Sequence, residues 1–148
     1  MGCVNHELET IMLRPSNLLC IFVFIFSILL ILCSTSVSGV PDTDLVYGIC
    51  NENTTTEGSP IDQAINEVIV DLILYTFKQG MVHYTTATVD PYSCFGHSIC
   101  HLQLNEQDCK ACLRSAEKQI QEDCPLTIRA DLQLVDCSIR FELYRFVE

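Results

Sequence analysis

Residues 100–112, CHLQLNEQDCKAC, decide what kind of chain this is. Three cysteines stand there, Cys100, Cys109 and Cys112, the last two as a CxxC. Such a pair can be half of a zinc knuckle, a redox dithiol, or two halves of separate disulfides. A knuckle needs a second CxxC or a tight histidine pair, and only His97 and His101 flank Cys100. A thioredoxin-like dithiol opens a helix directly after a strand. Here Asn105 reads as the helix cap, Asp108 falls in the first turn, and Leu113, Ala116 and Ile120 line one face. The CxxC therefore sits inside the first two turns. Its thiols share a helix face, and each can staple the helix to a different neighbour. No metal and no cofactor are expected.

The remaining cysteines agree with a framework of disulfides. Cys3, Cys20 and Cys33 precede an apolar-to-small transition; Cys50, Cys94, Cys124 and Cys137 join the three above. Seven cysteines in about one hundred residues indicate an oxidising compartment, and seven leaves one thiol over. The uncharged run LLCIFVFIFSILLILC, residues 18–33, is short for a membrane span and is followed by STSVSGV. Val37 and Gly39 suit the minus-three and minus-one positions of a signal-peptidase site. The expected organisation is a signal peptide over 1–39 and one domain over 40–148, secreted to the extracellular space or apoplast. A membrane is involved only if that leader stays uncleaved. The opening MGCVNH has His6 where a myristoylation signal carries Ser or Thr.

The chain carries a formal net charge of −11, which repels nucleic acid and anionic lipid. Strands are expected in LVYGIC (45–50), VHYTTATV (82–89) and CFGHSIC (94–100), with a turn at DPYS. A helix opens at Ser59-Pro60, runs an apolar stripe through Ile61, Ile65, Val68, Ile69, Leu72 and Ile73, and is expected to end at Gly80. In DLQLVDCSIRFELYRF, the residues Val135, Cys137, Ile139, Phe141 and Leu143 alternate onto one side. That segment reads as one long or bent strand, or as two strands joined at a bulge near Asp136. Two helices packed on one face of an antiparallel sheet make an α+β domain. No nucleophile–His–acid order, paired-carboxylate motif or phosphate-binding glycine loop indicates an enzyme; His83, His97 and His101 read as strand residues.

Cys100-x8-Cys109-x2-Cys112, together with FGHSIC, DCKACL and LQLVDCSIRFE, resembles the ginkbilobin family of plant antifungal domains. The same domain, usually doubled, occurs in cysteine-rich receptor-like kinases and cysteine-rich secretory proteins. The resemblance spans Leu45 to Phe146. It implies two helices on a five-stranded antiparallel sheet, and the bridges Cys50–Cys124, Cys100–Cys109 and Cys112–Cys137. Cys94 lies outside that pattern, as a buried thiol or as the link of a disulfide-bonded dimer.

The resemblance also implies a mannose site built from an Asn, an Arg and a Glu, and hence fungal wall mannose or mannan as partner. The Asn and Glu positions fall on Asn51 and Glu142; the Arg position is Asp131. An arginine offers five donors where an aspartate offers only acceptors. Two carboxylates would then line one site unless a cation lies between them. Arg129, two residues away, faces the same side if its segment is a strand. Asn53 opens an NTT glycosylation sequon and would face the same way as Asn51 in an extended chain, crowding the site. The expected function is a secreted, antifungal, lectin-type defence protein. The alternative is an interaction or signalling module that keeps the scaffold without binding sugar.

Overall fold

The computed structural model describes residues 23–26 and 40–145. Residues 23–26 are helical; the rest of the expected leader, with its cleavage site at Val37 and Gly39, lies outside the described residues. Between residues 40 and 145 the elements are β1 (Leu45–Cys50), α1 (Pro60–Tyr75), β2 (Val82–Val89), β3 (Tyr92–Cys100), α2 (Glu106–Asp123), β4 (Ala130–Leu134) and β5 (Cys137–Glu142). The five strands form one antiparallel sheet in the order β1-β4-β5-β3-β2. Both helices pack on one face of it, and within residues 40–145 no helix covers the other face.

The local chemistry accounts for the helices. Ser59 Oγ accepts the Asp62 N–H at 3.2 Å, with Pro60 in the first turn where no amide is needed. Along α1, Ala64, Ile65, Val68, Ile69, Leu72 and Ile73 are buried. Asn105 Oδ1 accepts the Asp108 N–H at 2.9 Å, and α2 buries Cys109, Cys112, Leu113, Ala116 and Ile120. Burying a full Leu or Ile side chain contributes about 1.5–3 kcal/mol, so these two stripes supply much of the core.

Three expected boundaries move, the smallest being the start of β3, at Tyr92 rather than Cys94. α1 ends at Tyr75 rather than running to Gly80. Thr76 Oγ1 turns back onto the Leu72 carbonyl and pairs with buried Ser98 of β3, anchoring the helix end. A turn ending in Gly80 and Met81, both at positive φ, then feeds β2. The C-terminal segment is two strands that meet near Asp136, as one expectation had it, but a hairpin turn rather than a bulge joins them. β4 and β5 are a hairpin, with Ala130 opposite Phe141 and Gln133 opposite Ser138. The buried positions explain why: Ala130, Leu132 and Leu134 are even-numbered, Cys137, Ile139 and Phe141 odd-numbered. Each strand keeps its own period of two, and the phase resets at Val135–Asp136. Val135 is accordingly exposed instead of facing the core, and Asp136 is tied to Asp42 by two hydrogen bonds.

The bridges are Cys50–Cys124, Cys100–Cys109 and Cys112–Cys137, so the two CxxC cysteines go to β3 and β5. Cys50–Cys124 spans 74 residues and contributes about 4 kcal/mol in the chain-entropy account. Cys94 is free and fully buried on the helix-covered side of β3. That burial takes its thiol out of reach of a second chain while the domain stays folded, which argues against the dimer link. Beside it, α1 crosses β3 at Gly96, where an added Cβ would lie 2.2 Å from Val68 Cγ1.

Candidate functional site

Strand alternation divides the sheet residues between its two faces. The open face receives Tyr47 and Ile49 from β1, Asp131 and Gln133 from β4, and Ser138, Arg140 and Glu142 from β5. From β3 and β2 come Phe95, His97, Tyr84 and Thr86. Register then sets neighbours: Ile49, Asp131, Arg140, His97 and Tyr84 form one row across all five strands. Glu142 lies opposite Phe95 in the next row.

Glu142 has no exposed surface, although its side chain lies on the face away from the helices. Two arginines cover it. Arg140 Nε donates to Glu142 Oε1 at 2.8 Å, and its Nη2 reaches the same oxygen. Arg129 Nε lies 3.3 Å from Oε1. Arg129 Nη1 in turn donates to the Tyr144 hydroxyl at 3.1 Å. Glu142 Oε2 has no hydrogen-bond partner among the described residues.

Asp131 is on the same face but outside that cluster. Its Oδ1 accepts from the Tyr47 hydroxyl at 3.1 Å, and Oδ2 lies 3.9 Å from Arg140 Nε. Desolvation, then the hydrogen bond to Asp131, pushes the Tyr47 phenol above its ordinary range. The cation needed between Asp131 and Glu142 is therefore Arg140. Arg129 does reach inward to Glu142, from the end of β4. Arg140 is the residue the sequence reading missed. Its signal was present, two residues before Glu142 on an alternating strand, but its place opposite Asp131 needs the β4–β5 register.

Asn51 joins this group through the backbone. Its N–H donates to the Arg129 carbonyl at 3.0 Å, and Thr127 Oγ1 lies 3.1 Å from the Asn51 carbonyl. Asn51 Oδ1 accepts the Asn53 N–H at 2.8 Å, closing a turn, and Nδ2 keeps no partner among the described residues. That turn corrects the expectation for Asn53. The segment is bent at Glu52, not extended, so residues 51 and 53 do not share one side as alternate residues of a strand would. Asn53 itself is exposed.

The structure thus joins Asn51 to Arg129 through the backbone and Arg129 to Glu142 through side chains, and leaves Asp131 one pair away, held by Tyr47 and Arg140. Farther along the face, Tyr84 stacks on His97 with ring centroids 4.1 Å apart and planes at 10°. No cluster of metal-ligating side chains occurs among the described residues.

The profile of the salt stress response/antifungal family matches residues 49–144. Over 111 residues the chain is 31% identical to antifungal protein ginkbilobin-like protein 2 of Picea glauca, covering 74% of this chain and 84% of that protein. Antifungal protein ginkbilobin-2 of Ginkgo biloba is 29% identical over 107 residues, 71% of this chain and 80% of its own length. Among solved structures, the tandem DUF26 ectodomain of the Arabidopsis thaliana cysteine-rich receptor-like protein PDLP8 superposes with a TM-score of 0.65 at 23% identity. That match covers 72% of this chain, which spans about half the solved one, 51%.

Proposed function

Because this chain belongs to the salt stress response/antifungal family of ginkbilobin-like domains, we propose that it is an extracellular antifungal binding module for terminal mannose, with Arg129 supplying the donors that Asp131 lacks. One observation carries the reading: the Arg129 guanidinium lies against Glu142, and the Arg129 backbone carbonyl accepts the Asn51 N–H. Glu142 is too buried to touch a sugar. Its role is to hold Arg129 and Arg140 in place, since a carboxylate fixes a planar guanidinium fork. Arg129 Nη2, Asn51 Nδ2 and the Tyr144 hydroxyl then offer hydrogen bonds in directions set by the scaffold. Directed polar groups of this kind give sugar specificity. No step of bond making is needed, so the module is not read as an enzyme. Three disulfides support the extracellular assignment.

One observation favours the interaction module instead: the carboxylate that would accept a sugar hydroxyl is fully buried, with its Oε1 taken by two arginines. Retention on immobilised yeast mannan separates the readings. A lectin is retained and is eluted by free mannose. Passage through the column by protein that still inhibits fungal growth would set mannose aside and leave the interaction module.

A further inference from the structure

We propose that the β2–β3 half of the open face is a second sugar subsite, which takes a short oligosaccharide carrying a compact oxyanion, a carboxylate or a phosphate. A cavity of about 360 Å³ opens there, lined by Tyr84, Thr85, Thr86, Phe95, Gly96 and Arg145. This lies toward the small end of the ~300–1,000 Å³ typical of ligand sites and suits one or two sugar rings. Tyr84 is 56% exposed, yet its ring is held flat by the His97 stack. An aromatic face fixed in this way is a platform on which the C–H face of a pyranose packs with little loss of side-chain freedom.

Charge at the cavity wall points to an acidic ligand. Arg145 Cζ lies 5.8 Å from the Phe95 ring centroid, and among the described residues Arg145 pairs with no carboxylate. Phe95 is the cross-strand neighbour of Glu142, which gathers Arg129 and Arg140. Glu142 and Asp131 already balance Arg129 and Arg140, so among the described residues Arg145 is the guanidinium left to face the cavity, on a chain whose net charge is −11. A neutral sugar does not require a guanidinium at the cavity wall, whereas carboxylate and phosphate match its planar fork bidentately. The overall negative charge works against long polyanions, so the ligand is an isolated acidic unit. Asn51 and Asp131 take no part, and the inference stands whether or not mannose is bound at Arg129.

Calorimetric titration of the full chain with digalacturonate, mannose 6-phosphate and neutral mannobiose tests it, alongside Arg145→Gln and Tyr84→Ala. Both residues are exposed, so neither change should disturb folding. At least one acidic probe is expected to bind, with affinity falling about tenfold or more in each variant, since bonds to charged groups are the strong ones. Binding should also weaken from 50 to 200 mM salt, about as expected for screened charges. Which acidic probe binds identifies carboxylate or phosphate as the source. Mannobiose should be indifferent to Arg145→Gln, which separates this subsite from the Arg129 reading. Failure of both acidic probes, equal binding by the Arg145→Gln protein, or stronger binding of a single-stranded oligonucleotide would each overturn the proposal.

Discussion

Replacing Glu142 with Gln removes one charge and almost no volume from the centre of the open face. Oε2 has no partner, so turning it into an amide nitrogen breaks no bond. The loss falls on Oε1, which holds Arg140 and Arg129. Breaking a fully buried ion pair costs roughly 3–5 kcal/mol, because the remaining charge cannot rehydrate. Here the side chains of Arg140 and Arg129 are 27% and 38% exposed and can turn to water. The cost should therefore drop to about 2 kcal/mol, which for a domain this size lowers the Tm by roughly 10 °C. Urea unfolding should show a lower midpoint at unchanged slope, since the buried surface is the same. The double variant Glu142→Gln, Arg140→Gln should lose less than the sum of its parts. A change below about 0.5 kcal/mol, the size of an ordinary surface substitution, would refute the claim that Glu142 organises this face.

Two further perturbations probe the scaffold. Gly96→Ala drives a methyl group into Val68, whose branched side chain has little rotamer freedom in a helix, so stability should fall by ~1–3 kcal/mol in denaturant unfolding. An unchanged midpoint would mean that α1 does not seat on β3 as described. Burial pushes the Cys94 thiol up to about 12 from 9.0. The folded pKa is the higher one, so this contribution is complete below pH 9 and is lost as pH rises toward 12. Between pH 8 and 10.5 the natural protein should lose about 2 kcal/mol that Cys94→Ala does not lose. Alkylation at pH 8 should likewise be about a thousandfold slower in the folded state; rapid labelling of Cys94 would show that the thiol is not enclosed.

How much of this was readable in the sequence depends on how far apart the interacting residues lie. Asn105 and Ser59 cap their helices through contacts three residues away, and those were legible as spacing. The apolar stripe of α1 was legible for the same reason. Its end was not, because Thr76 is anchored by Ser98, which lies 22 residues later. The β4–β5 hairpin was written in the switch from even to odd buried positions, yet Val135 is apolar and masked that switch by extending the odd series backward. The site was harder still. Arg129 could be suspected from parity with Asp131, but Arg140 gains meaning only once it stands opposite Asp131 and beside Glu142. The family resemblance supplied the positions Asn51, Asp131 and Glu142; it gave no sign that Glu142 is covered by arginines.

The central claim is that Arg129 replaces the arginine missing at position 131. Calorimetric titration of mannose into the protein, Arg129→Gln and Asp131→Arg tests it most directly. Arg129 sits near the surface, so its loss should leave the fold intact while weakening mannose binding by about tenfold or more, as for a lost bond to a charged donor. Asp131→Arg should restore or strengthen binding in the Arg129→Gln background. If the natural protein and Arg129→Gln bind mannose equally, Arg129 is not the donor. If only proteins carrying Asp131→Arg bind at all, the pocket survives in the fold but this chain does not use it for mannose.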